Sequence, residues 1–204
     1  MTFSIVARCP KTLALGVAVA TAAPAVGDAV PHAEAEVGAI ATQANTNILY
    51  GVNGLKLLKM GFSPQTALGA MLKEDKERET RQVIIIDKNG RIAGFTGKET
   101  IEWKGHLIGK DYAVAGNMLV RRHVIEAMAQ TLENSKGELA ERLLAALEAG
   151  QNAGGDKRGK TSAALLVVGK GLTGPRPLIS LRVDISEEPV EELKRILVEY
   201  QKHR

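Results

Sequence analysis

TFSIVAR, residues 2–8, is the stretch on which the reading of this chain turns. Ile5 and Val6 are β-branched, apolar and polar side chains partly alternate, and no glycine or proline interrupts the run, so it reads as a strand. Cys9-Pro10-Lys11 supplies a turn, and Leu13–Thr21 (LALGVAVAT) reads as a second strand returning beside the first. Working outward, Ala23–Pro31 carries Gly27, Asp28 and two prolines and is expected to be a loop. A third strand is expected over Val37–Gln43 (VGAIATQ), leading into the polar corner Asn45-Thr46-Asn47.

Beyond that corner the pattern changes period. Gly51–Met60 carries an apolar stripe of Leu55, Leu58 and Met60 and ends at Gly61. Ser63-Pro64 provides an N-cap and a first-turn proline for a helix reaching about Lys73. Arg81–Asp87 (RQVIIID) and Arg91–Thr96 flank Lys88-Asn89-Gly90, and Asn-Gly between two apolar runs is a strong hairpin signal. Ile101–Ile108 and Tyr112–Ala115 are shorter strand candidates, followed by amphipathic helices over Val120–Glu133 and Glu138–Ala149. After the glycine-rich loop Gly150–Gly159 come strands Ser162–Val168 and Leu178–Asp184, and a last helix Pro189–Lys202. Strands in antiparallel runs and helices in pairs exclude the strict alternation of a doubly wound fold. The expectation is α+β: a four-layer αββα sandwich of two antiparallel sheets, with helices covering the outside. Runs such as VIII and ALLVV suit sheets buried on both faces.

The 204 residues fit one domain spanning 1–204, since no linker, low-complexity run or long block of one charge divides them. Aromatics are only 3%, so aliphatic side chains must fill the core. A net charge of +4 is mild, and Lys and Arg alternate with Glu and Asp along the expected helices. A nucleic-acid binder would gather its cations on one face and add stacking aromatics, so nucleic acid is not expected as a partner. No apolar run reaches the length of a membrane span, so no membrane partner is expected either. A single cysteine, Cys9, excludes an internal disulfide, and with no secretory leader pattern the expected location is the cytoplasm. The four histidines are scattered without metal-ligand spacing; no metal and no cofactor are expected.

Two motif matches fail on context. Gly154–Thr161 (GGDKRGKT) fits G-x-x-x-x-G-K-[ST], but a phosphate loop needs a strand before it and a helix after it, and here the order is reversed. A looser anion site through backbone amides and Lys157, Arg158 or Lys160 stays open. Gly169–Gly174 (GKGLTG) fits G-x-G-x-x-G, but Pro175 and Pro177 follow, so it reads as a hairpin turn.

Thr2 heads the first strand. Removal of Met1, the usual outcome before a small residue, would leave a threonine whose hydroxyl can attack a carbonyl while its own α-amine takes the proton. The reference pKa of that amine, about 7.7–8.0, lies near working pH. A retained Met1 would block the amine.

Thr2–Arg8, Val37–Asn47 (VGAIATQANTN), Gly116-Asn117 and Gly154–Leu165 (GGDKRGKTSAAL) together closely resemble the domain-of-unknown-function 1028 family, from Thr2 to about Leu193. One departure is Cys9, where that family usually has an acidic residue. The resemblance implies an N-terminal-nucleophile (Ntn) hydrolase-like sandwich and roles by position. Thr2 would be the nucleophile and Asn117 the oxyanion donor, with Asp156 and Ser162 supporting Thr2. Thr42 and Asn45 would line the pocket, and Arg158 would hold a substrate carboxylate. The leading expectation is an amidohydrolase acting on a small-molecule or peptide-like amide. The alternatives are a non-catalytic binding or scaffold protein on the same fold, and an anion binder using Gly154–Thr161. Apolar strand edges point to a homodimer.

Overall fold

Strand β1 (Thr2–Arg8) lies inside a six-stranded sheet of order β10-β9-β2-β1-β8-β7 in the computed structural model, which describes residues 2–170 and 177–203. Its neighbours are β2 (Leu15–Thr21) and β8 (Tyr112–Asn117), flanked by β9 (Ser162–Val168), β10 (Ile179–Val183) and β7 (Gly105–Gly109). A second sheet of order β3-β4-β5-β6 comprises β3 (Pro31–Glu34), β4 (Gly38–Ala44), β5 (Arg81–Asp87) and β6 (Ile92–Thr96). Every pairing in both sheets is antiparallel.

The period of two along β1 decides which residues meet which layer. Phe3, Ile5 and Ala7 pack under the helices α4 (His123–Asn134), α5 (Leu139–Asn152) and α6 (Pro189–Lys202). Val6 packs the other way, against Ala39, Ala41, Ile84 and Ile86 of the second sheet. Alternation on β5 then turns Val83 and Ile85 outward, under α2 (Leu49–Lys59) and α3 (Pro64–Glu74). The layers are therefore helix, sheet, sheet, helix, as the alternating runs imply. Ile84, Ile85 and Ile86 are fully buried, each contributing roughly 1.5–3 kcal/mol over an exposed side chain.

Local chemistry explains the boundaries. Ser63 caps α3 by accepting from the Thr66 amide at 3.1 Å, with Pro64 in the first turn. Gly90 takes φ +81° in the turn between β5 and β6, a conformation that suits glycine. Helix α2 departs from its expected stripe: its buried face is Tyr50, Gly51, Gly54 and Leu58, while Met60 lies past its end and is exposed. The glycines let the helix settle on the sheet, since a Cβ at Gly51 would stand 2.2 Å from the His32 ring. The stretch expected to be a loop, Ala23–Pro31, contains a single helical turn, α1 (Val26–Ala29), and leads into the edge strand β3. Strands β9 and β10 pair as a hairpin would, but most of the expected turn, residues 171–176, lies outside the described residues. Among the described residues no helix is long and apolar enough to cross a membrane.

Candidate active site

One end of the space between the sheets is polar, and Thr2 sits there. Register places Thr2 beside Asn117 on β8, and Thr21 beside Ser162 on β9. The Thr2 and Thr21 hydroxyls approach to 3.4 Å. Asn117, Thr2, Thr21 and Ser162 thus form a row across four adjacent strands, all on the face that looks toward the second sheet. All four are buried, Thr2 at 4% exposure.

The second sheet answers that row with two glutamines, Gln43 on β4 and Gln82 on β5, paired across the strands. Both point inward, continuing the alternation of Ala39 and Ala41 and of Ile84 and Ile86. Gln82 Oε1 accepts from Asn117 Nδ2 at 2.8 Å and from Gln43 Nε2 at 2.7 Å. Gln43 Nε2 also reaches the backbone carbonyl of Thr2 at 3.4 Å. Gln43 Oε1 and Ser4 Oγ are buried without a protein partner. Buried polar atoms are normally satisfied, so each of these atoms is a position for bound water or for a ligand donor.

Both strands leave this layer through a non-glycine residue in the left-handed region: Ala44 at φ +74° follows Gln43, and Met118 at φ +52° follows Asn117. Such a conformation costs of order 1–2 kcal/mol for an L-residue and is maintained only where its surroundings impose it. Part of that imposition is visible after Asn117. Residues 118–120 are held by the glycine-rich loop through Lys157 N to Met118 O at 3.2 Å and Val120 N to Gly155 O at 3.2 Å.

Asp156 ties that loop down. Its carboxylate is fully enclosed, accepting from Ala22 N at 3.2 Å, from Arg158 N at 2.9 Å, and from the Arg158 guanidinium at 2.7 and 3.2 Å. These contacts join the exit of β2 to the loop. Arg158, named from the sequence as a substrate-carboxylate ligand, therefore already holds a carboxylate of its own chain. Ser162 donates to Ala23 O at 2.6 Å and accepts from Val26 N at 3.1 Å, anchoring α1. It is two strands from Thr2, about 10 Å at ordinary strand spacing.

Thr42 and Asn45 stand apart from this layer. Thr42 alternates with Gln43 and so faces the α2 side of the sheet, and its hydroxyl donates to Asn47 O, just before that helix, at 3.0 Å. Asn45 bonds Thr80 Oγ1 at 3.3 Å at the surface. The sequence missed Gln43, Gln82 and Thr21. The available signal was a polar side chain at an inward position of an otherwise apolar strand.

The cations of the glycine-rich loop have partners within the chain. The loop 154–161 has a helix before it and a strand after it, and Lys157 donates to Glu102 O at 3.0 Å while Lys160 pairs with Glu188. No group of three or more His, Cys, Asp or Glu residues that could hold a metal occurs among the described residues. A cavity of about 620 Å³ lies between α2 and α3, lined by Leu49, Tyr50, Leu57, Met60 and Met71 among others, and Thr2 does not line it.

The family model described as DUF1028, a family of unknown function, matches residues 2–193. The crystal structure of a protein from Silicibacter pomeroyi assigned to the same family superposes with a TM-score of 0.89 at 34% identity, covering 98% of this chain and 88% of that one. Anbu, an ancestral β-subunit from Yersinia bercovieri, aligns over 98% of this chain and 95% of its own, with a TM-score of 0.43 and 8% identity. Among curated proteins nothing matches.

Proposed function

The chain belongs to the DUF1028 family, and we propose that this member is an N-terminal-nucleophile amidohydrolase acting on a small C–N amide. The observation that carries the reading is the placement of Thr2, beside Asn117 on an inner strand, at the polar end of an otherwise apolar inter-sheet core.

Cleavage of the Met1–Thr2 bond frees the α-amine. Thr2 Oγ1 then attacks the substrate carbonyl and its proton passes to that amine. The carbonyl oxygen gains the negative charge. Asn117 Nδ2 has two protons, one of them given to Gln82, and the second is available to the developing oxyanion. Collapse expels the amine, which takes the proton from the α-ammonium and leaves an ester on Thr2. Water attacks that ester, and the carboxylate product departs with Thr2 Oγ1 reprotonated. Asp156 and Arg158 act through structure in this account, holding the loop that backs Met118 and Asn117.

The test is hydrolysis of a panel of small amides by protein lacking Met1. Activity on any member should vanish in Thr2→Ala and in a form that keeps Met1, and full activity in Thr2→Ala would refute the assignment. A second reading is favoured by one observation, the 4% exposure of Thr2: a non-catalytic binding or scaffold protein in which Thr2 only fills the layer. On that reading no amide is turned over. On the first, Thr2→Ala melts within about 1 kcal/mol of the parent, because its 3.4 Å hydroxyl contact is long, and still loses turnover.

A further inference from the structure

Gln82 occupies an unusual place for a polar side chain in the strand RQVIIID: it is fully buried, and it reaches from the second sheet to the backbone of the first. Its Nε2 lies 3.0 Å from Gly105 O and 2.9 Å from Gly116 O, carbonyls of facing residues on β7 and β8, and 2.9 Å from Thr96 Oγ1. Carbonyl oxygens only accept. Turning the Gln82 amide over would bring its oxygen against both of them, so its orientation is fixed by backbone and not by choice of side-chain rotamer.

That orientation propagates. With Nε2 committed to the carbonyls, Oε1 faces Asn117 and Gln43, and an amide oxygen can only accept. Asn117 must therefore present Nδ2 to it, and Gln43 must present Nε2. Gln43, turned this way, brings the same Nε2 to the carbonyl of Thr2. The two Gly carbonyls thereby set three amides in sequence and end at the peptide group of the nucleophile.

Resting on the nucleophile reading above, we propose that Gln82 is the positioning residue of this site, orienting Asn117 as a donor and, through Gln43, fixing Thr2. Gln82 touches neither the hydroxyl nor a substrate. Its effect is on the direction of the Asn117 N–H groups and on the peptide plane from which Thr2 Oγ1 projects. Misdirected donors are costly because an oxyanion hole works only when its dipoles are already aimed.

The test uses the full chain lacking Met1, selectively ¹⁵N-labelled at Asn, with p-nitrophenyl acetate as the probe. Thr2 Oγ1 bonds to the acetyl carbon, nitrophenolate leaves with the electron pair of the broken C–O bond, and the hydroxyl proton goes to the α-amine. Nitrophenolate release and the peptide carrying the acetyl group are both read. Gln82→Met keeps the side-chain length and removes the amide. It should slow acetylation of Thr2 by about 10- to 100-fold, less than the ~10²–10³-fold of losing an oxyanion donor outright. It should also speed exchange of the Asn117 side-chain amide protons, assigned by their absence in Asn117→Asp, by at least tenfold. A structural role alone would lower the melting temperature and leave the Asn117 signal and the folded-state acetylation rate unchanged, and that result would overturn the proposal. Should Gln82→Met not fold, the unmodified protein decides: slow exchange of the Asn117 side-chain protons supports the proposal, and bulk-like exchange overturns it. Failure of the unmodified protein to be acetylated at Thr2 is a different outcome. It removes the nucleophile reading and the positioning role with it.

Discussion

Replacing Asp156 by Ala should lower stability by an amount its contacts allow us to work out. The carboxylate is fully enclosed and accepts from two backbone amides and two guanidinium nitrogens. Hydrogen bonds to a charged group contribute about 1.5–3 kcal/mol each in isolation, but these share one acceptor group and do not add. Arg158 is 34% exposed, so much of its ion-pair contribution is offset by solvent screening. The net expectation is a loss of roughly 2–4 kcal/mol, which for a domain of this size lowers the melting temperature by about 5–15 °C. Asp156→Asn keeps an acceptor for one of the amides and should cost about half as much. Circular dichroism melts of the three proteins at neutral pH measure this. A shift below about 2 °C for Asp156→Ala, within the range of ordinary surface substitutions, would show that the carboxylate does not anchor the loop, and the structural account of Asp156 would fail.

Other expectations follow from the same geometry. Burial holds the pKa of His32 and His106 below the usual histidine value of 6.5. Both are therefore neutral in the fold but take up protons more readily when unfolded. Stability should be full above pH 6.5 and fall as the pH drops from there through the lower folded-state values, a decline that denaturant titrations between pH 8 and 5 would detect and that His106→Gln should reduce. Arg81→Met should destabilise the fold by about 3 kcal/mol, since the Arg81 side chain, 8% exposed, holds Asp75 at 2.9 Å and the Asn45 carbonyl at 2.7 Å; an unchanged urea midpoint would contradict this. Gly51→Ala should cost about 1–3 kcal/mol through overpacking, because its new Cβ would meet the His32 ring, and thermal melts report it directly.

Much of the fold was legible because most strands and helices advertise their burial locally. TFSIVAR, RQVIIID, SAALLVV and the helix from Pro189 to Lys202 stand where their periodicity puts them. Strand β3 escaped notice because Pro31-His32-Ala33-Glu34 has no β-branched residue and is only half-buried, its place at the sheet edge being set by pairing with β4. The polar layer around Thr2 was legible in one sheet and not in the other. Thr2 and Asn117 come together because their strands pair, and both were singled out. Gln43 and Gln82 join them only through the stacking of two sheets, a relation no local pattern contains. Conversely, Thr42 and Asn45 lie within two residues of Gln43 in sequence, yet the pleat and the turn that follows carry them away from Thr2.

Thr2, with a free α-amine, is the group proposed to attack. The most direct measurement is the intact mass of the protein taken from the organism that makes it, before and after exposure to p-nitrophenyl acetate, with the modified peptide identified. A chain without Met1 that gains one acetyl group, on Thr2, and none in Thr2→Ala, is the expected result. Uniform retention of Met1, or acetylation that ignores Thr2, would contradict it.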